Sequence, residues 1–221
     1  MTLFDIMGPI MVGPSSSHTA GAVRIGQMTR KLLGAPPEKV EILLHGSFAD
    51  TGSGHGTDKA LVAGLLGMQP DNPDIPNAFR LAAEAGMDVR VGTAVLRGAH
   101  PNTVQLHVSA GDDKTVEVNA SSLGGGRVRV NAIDGLEAAF TGDCPTLIIR
   151  NEDKPGQVAE VTGLLSEQGV NLATMQLYRD RRGGLAVMVI ESDQPIPRDV
   201  VARLRATPGI VRVVYLNMEE G

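Results

Sequence analysis

Thr146-Leu147-Ile148-Ile149-Arg150-Asn151-Glu152-Asp153-Lys154-Pro155-Gly156 passes from an aliphatic run straight into a turn. Thr146 to Ile149 reads as a buried strand, and the Asn, Asp, Pro and Gly that follow turn the chain into a helix. Val158, Val161, Leu164 and Leu165 then fall on one helical face, and Gly169 stops that helix. Leu172 to Tyr178 and Leu185 to Ile190 form a hairpin across Arg181-Arg182-Gly183-Gly184. Pro197 opens a second helix with Val200, Val201 and Leu204 inward, and Ile210 to Leu216 is the last strand. Strand, helix, two strands, helix, strand is the split βαβ order of ferredoxin-like domains.

Upstream the pattern is different. Thr19 to Leu33 reads as a helix, with Ala22, Ile25, Thr29, Leu32 and Leu33 near one face and Gly34 closing it. Val40 to Leu44 is a buried strand, Thr57 to Leu66 a helix weakened by Gly64, and Asn77 to Glu84 a short helix ended by Gly86. From Asp88 the apolar residues recur every second position: Val89 and Val91; Val104, Leu106 and Val108; Val116 and Val118; Val128 and Val130. The fold class expected is α+β: a mixed helix and meandering-sheet domain over 1–143, then the ferredoxin-like βαββαβ domain over 146–221. The break falls around Thr141-Gly142-Asp143-Cys144-Pro145.

Composition removes several functions. A net charge of −5 argues against a nucleic-acid surface, which carries a basic patch. Aromatic residues are 3% with no Trp, so base-stacking or sugar platforms are not expected. No run approaches the ~20 apolar residues of a membrane span, and Met1-Thr2-Leu3-Phe4-Asp5 lacks the basic start of a signal peptide. The single cysteine, Cys144, excludes an internal disulfide and fits a reducing, cytoplasmic setting.

The chemistry-bearing residues gather in two strings. Gly13-Pro14-Ser15-Ser16-Ser17-His18-Thr19-Ala20-Gly21 places three hydroxyls and an imidazole where a Gly-Pro turn becomes a helix. His45-Gly46-Ser47 and Asp50-Thr51-Gly52-Ser53-Gly54-His55-Gly56-Thr57-Asp58 follow. Small hydroxyls at a helix start suit a carboxylate, and histidine moves protons near neutral pH. Capping alone also accounts for one of the serines, and for Thr57 with Asp58. His45 reads equally as a core histidine or a site residue. His100-Pro101-Asn102 reads first as a turn, His107 as the exposed face of a strand, and Ser121-Ser122-Leu123-Gly124-Gly125-Gly126 as a bend.

Together with Gly8-Pro9, His100-Pro101-Asn102 and Gly124-Gly125-Gly126, these strings closely resemble the iron–sulfur-dependent L-serine dehydratases, and among them the separate β subunit of the two-subunit form. The stretch from Pro145 to Asn217 resembles an ACT domain, through Asn151-x-Asp153-x-Pro155-Gly156 and Gly169-Val170-Asn171-Leu172. The resemblance implies loss of water from L-serine to give pyruvate and ammonia. It implies His55 as base or proton relay and His18 beside it, with Ser15, Ser16, Ser17 and Thr19 holding the substrate carboxylate and Thr57 and Asn102 as further contacts. It implies a regulatory amino-acid site at Asn151, Asp153, Pro155, Gly156 and Asn171; the plainer reading has Asp153 cap the helix, Pro155 start it and Gly156 turn.

The implied [4Fe–4S] cluster is usually held by about four thiolates, and this chain has one. The expectation is that no metal ligand lies here. The cluster then belongs to a cysteine-bearing α subunit, and the chain is inactive without it. Self-association through the ACT or the N-terminal domain is also expected. The alternative is a non-catalytic serine-sensing module like that of some phosphoglycerate dehydrogenases, which would not require the Ser-Ser-Ser-His-Thr string or His55. A PLP enzyme is disfavoured, because none of Lys31, Lys39, Lys59, Lys114 and Lys154 sits in a Schiff-base setting.

Overall fold

A computed structural model describes residues 10–111 and 113–218. The Gly8-Pro9 part of the motif lies outside them. The chain forms two compact units that part between Asp134 and Gly135.

In the first unit a π-helical turn, Ser16–Gly21, runs directly into α1, Ala22–Leu33. Then come β1 (Lys39–Leu44), α2 (Ser47–His55), α3 (Thr57–Leu66), a 3₁₀ turn (Ile75–Asn77), α4 (Ala78–Glu84), β2 (Asp88–Thr93), β3 (Thr103–Ala110), β4 (Lys114–Gly124) and β5 (Arg127–Ile133). The strands take the order β2-β1-β3-β4-β5. Only β3 to β5 form the expected meander. β2 lies beyond β1 and parallel to it, while β1 pairs antiparallel with β3, Ile42 opposite Leu106. Alternation announces a strand but not its neighbour, so the insertion of β1 was not legible.

Of the period-two residues, Val104, Leu106, Val108, Val116, Val118, Val128 and Val130 are buried, as are Val40 and Ile42 of β1, but Val89 is half-buried and Val91 is exposed, on the edge strand β2. The buried set forms one sheet face under Ile25, Met28 and Leu32 of α1, and α1 packs in turn on α3, where Leu61 and Leu65 are buried. Gly64, expected to weaken α3, is where α3 meets α1. A side chain there would strike the Val23 carbonyl, and one on Gly26 would strike the α3 backbone at Leu61 and Leu65. The two helices therefore approach backbone to backbone, which outweighs the ~1 kcal/mol propensity cost of a helical glycine.

The second unit holds β6 (Leu136–Phe140), β7 (Thr146–Glu152), α5 (Gln157–Glu167), β8 (Leu172–Arg179), β9 (Leu185–Ser192), α6 (Arg198–Ala206) and β10 (Ile210–Leu216). The antiparallel sheet runs β10-β7-β9-β8, the ferredoxin-like order. Leu147, Ile149, Met188 and Ile190 from the sheet close on Val161, Leu165, Val200, Val201 and Leu204 from the helices. Val158 falls outside this stripe and is exposed. β7 extends through Asn151 and Glu152, which were expected in the turn, because both pair with β9. β6 goes with this unit: it packs on β8 and β9, and the Gln176 amide donates to the Ala139 carbonyl at 3.1 Å. Among the described residues no helix is long and apolar enough to cross a membrane.

Candidate active site

Ser15 has extended backbone and caps the π-turn, its Oγ accepting the His18 backbone N–H at 3.3 Å. A π-turn takes one residue more than an α-turn and widens the helix locally. Here it carries His18 inward to 7% exposure. His18 Nδ1 lies 3.2 Å from Ser15 Oγ. Nε2 lies 3.0 Å from Thr51 Oγ1 and 3.4 Å from Ser47 Oγ.

The far side of this clasp is α2, a helix the sequence did not announce. Ser47, Thr51 and His55 stand four residues apart and so share one helical face. Phe48, wholly buried, anchors α2 with about 1.5–3 kcal/mol of apolar burial and meets the His18 ring edge-on, centroids 5.2 Å apart. The His55 ring stands perpendicular to that of His18, centroids 4.9 Å apart. Gly56 ends α2 in the left-handed region at φ 69° and starts α3 at once. His55 is thus an exposed residue at a helix end, next to open space at Gly54.

Burial holds the His18 imidazole below its ordinary pKa. A hydrogen bond to the Ser47 carbonyl pulls the other way, and the nearby His55 lowers it further. His18 is therefore neutral at physiological pH.

The other expected site residues are placed unequally. Ser16 Oγ accepts the Gly125 N–H at 3.2 Å, so the glycine bend between β4 and β5 closes onto the π-turn; Ser17 faces Gly124. Thr19 is buried against Gly13, turned away from the clasp. Thr57 is fully buried and its hydroxyl meets no partner among the described residues; Gly56, not Thr57, holds the cap position of α3. Asn102 stands in the loop before β3, its backbone joined to Ser122 and His100 and its buried Oδ1 without a partner. The Ser122 hydroxyl, buried beneath Gly21, also has none. His45 Nδ1 is held by the Ala94–Leu96 backbone, and His107 pairs with Glu117 at 3.5 Å. Ser47 and Thr51 were read only as parts of a motif. Their four-residue spacing with His55 was the signal that could have found them.

In the second unit Asn151, Asp153, Pro155 and Gly156 gather where β7 gives way to α5. Asp153 does not cap α5. It accepts the Gly183 N–H at 2.9 Å and pairs with Arg179 at 3.3 Å, tying the turn to the β8–β9 hairpin. The Gly183 hydrogen bond, with Arg179 in support, holds its carboxyl below the ordinary range. Buried Asn151 donates to the Glu152 carbonyl at 2.7 Å and leaves Oδ1 unpartnered. Asn171 follows the opposite end of α5, roughly 16 Å away by helical rise, and its side chain bonds Asp193. One copy of the chain does not bring it to the other four.

These features define the class as an α+β domain with a histidine–hydroxyl site followed by an ACT domain, and residues 145–209 match the ACT domain family. Residues 2–91 match the serine dehydratase beta chain family. The chain is 38% identical over 216 residues to a probable L-serine dehydratase, beta chain, of Bacillus subtilis (strain 168), and 34% identical over 216 to the L-serine dehydratase, beta chain, of Peptoniphilus asaccharolyticus. Each match covers 97% of both chains. It is also 27% identical over 198 residues to the D-3-phosphoglycerate dehydrogenase of Bacillus subtilis (strain 168), covering 89% of this chain and 37% of that enzyme. The chain belongs to the L-serine dehydratase beta chain family.

An iron–sulfur cluster does not fit on this chain. Cys144 is its one cysteine, and among the described residues no group of three or more His, Cys, Asp or Glu is placed to hold a metal.

Proposed function

We propose that this chain supplies the histidine and hydroxyl wall of an L-serine dehydratase site, completed by an α subunit that carries the cysteines and the [4Fe–4S] cluster. The observation that carries this reading is the His18–His55 pair inside the hydroxyl clasp, one ring buried and neutral, the other exposed. His55 takes the α-proton of L-serine, with the open space at Gly54 admitting the substrate. The electron pair left on the α-carbon expels the β-hydroxyl, which receives the proton from His55 and leaves as water, and the aminoacrylate formed tautomerises and hydrolyses to pyruvate and ammonia. His18 orients the substrate beside His55. Ser16 and Ser17, with the N–H end of the π-turn, hold the carboxylate. Thr57 and Asn102 offer buried oxygens that have no partner among the described residues.

The ACT domain serves as a regulatory amino-acid site at the β7–α5 turn and as a surface for self-association. The contrasting reading, a serine sensor without catalysis, draws on the likeness to phosphoglycerate dehydrogenase. Anaerobic co-expression with a cysteine-bearing α-type partner, with iron and sulfide, decides between them. Pyruvate formation from L-serine that requires both chains is the expected outcome. Serine binding to this chain without any turnover of the pair moves the reading to the sensor.

A further inference from the structure

Within this dehydratase site, on whose reading the inference rests, the hydrogen bonds around His18 run in one direction. The Thr51 hydroxyl donates its one proton to the Ser47 carbonyl, 2.8 Å away, which only accepts. Toward His18 Nε2, Thr51 Oγ1 is therefore an acceptor. Nε2 carries the ring proton, and neutral His18 keeps a bare lone pair on Nδ1. The partner of that lone pair is Ser15 Oγ, which must donate to it. The same oxygen accepts the His18 backbone N–H. Among the described residues, Ser15 is left with one unused lone pair and no proton to give.

We propose that Ser15 is an acceptor that holds the α-ammonium of L-serine rather than its carboxylate, and that Thr51 is the positioning residue behind it, fixing His18 as the Nε2–H tautomer. Hydrogen-bond valence thus separates Ser15 from Ser16 and Ser17, with which the sequence groups it. An ammonium has three N–H groups and no lone pair, which matches what Ser15 has left. A carboxylate only accepts, and would meet Ser15 lone pair to lone pair.

The tautomer is read on the full chain, labelled with 15N, from two-bond correlations of the imidazole ring in mildly alkaline buffer. Nε2–H is expected for His18, with Nδ1–H rising in Thr51→Val and the original pattern restored in Thr51→Ser. Nδ1–H in the unsubstituted chain, or no change in Thr51→Val, overturns the assignment. Ser15→Ala, assayed in the complex with the α-type partner, should raise KM for L-serine roughly 10-fold or more with kcat nearly kept, as for loss of one charged hydrogen bond. Inhibition by 3-hydroxypropanoate, which keeps the carboxylate and hydroxyl but lacks the amine, should not change. Equal weakening of both ligands returns Ser15 to the carboxylate and overturns the proposal. An unsubstituted complex with no activity instead removes the dehydratase reading and the ammonium with it, while the tautomer measurement still decides the part of Thr51.

Discussion

Thr57 and Ser122 bury hydroxyls that meet no partner, and Ser15 keeps a lone pair unused, all in the first unit. Around the β7–α5 turn of the second unit, Asp153 places its carboxylate on Gly183 and Arg179, and Asp180 binds the amides of Arg181 and Leu185. The first arrangement leaves polar groups without a partner among the described residues. The second uses most of them to hold a hairpin, with Asn151 Oδ1 and Gln157 Oε1 left over among the described residues. Unmet polar groups locate a site better than polar residue types do, because burying them without a partner costs about 1–3 kcal/mol each.

The largest effect that tests this contrast is His55→Ala. Turnover of the reconstituted complex should fall by at least about 10²-fold, the scale of general acid–base catalysis. The melting temperature should hardly move, because His55 is exposed. Activity within a few-fold of normal takes His55 out of the mechanism.

Regulation comes next. Gly156→Leu, at φ 95° in the ACT turn, should change the response of the enzyme to added serine and leave the chemistry intact. An unaltered serine response reduces that turn to scaffold.

The two units should also lose stability in different pH windows. His18 has a folded-state pKa below its unfolded 6.5. The unfolded chain takes up that proton first, so stability declines as pH falls from about 6.5 toward the folded value. Asp153 has a folded-state pKa below 3.8. Its contribution is complete above that value and is lost as pH falls below it. Amide exchange resolved by unit, with His18→Gln and Asp153→Asn, should remove the first and second windows separately. One shared acid transition, insensitive to either substitution, breaks the comparison.

The smallest effect is expected from Arg179→Ala, which removes an exposed partner of Asp153. Solvent and salt screen such an exposed pair, and the midpoint of denaturant unfolding should hardly shift. A larger loss would mean that Arg179 supports the hairpin through packing.

The second unit was legible in outline because its strands and helices obey simple periods, bounded by Gly169, Pro197 and the Arg182-Gly183 turn. The Ser-Ser-Ser-His-Thr string was legible for its chemistry, and His18 and His55 do meet. What escaped was the helix between them. Gly52, Ser53 and Gly54 lower helical propensity, so α2 read as loop and its Ser47–Thr51–His55 face went unseen. The contact between Ser16 and Gly125 escaped for another reason: residues far apart in the chain leave no periodic trace of each other.

The π-turn at Ser16–Gly21 has one further consequence. An α-helix turns about 100° per residue, and the π-turn is held open by a single surplus residue. Deleting Ala20 from it would let α1 wind straight through. Ser15, Ser16, Ser17 and His18 would then turn together by about that angle relative to α1 and away from Thr51 on α2, though every side chain named in the site remained in the sequence. The site is thus more vulnerable to a change in length than to a change in composition. A one-residue deletion here is expected to disarm it as fully as removal of a histidine, and no inventory of its motif residues would reveal the loss.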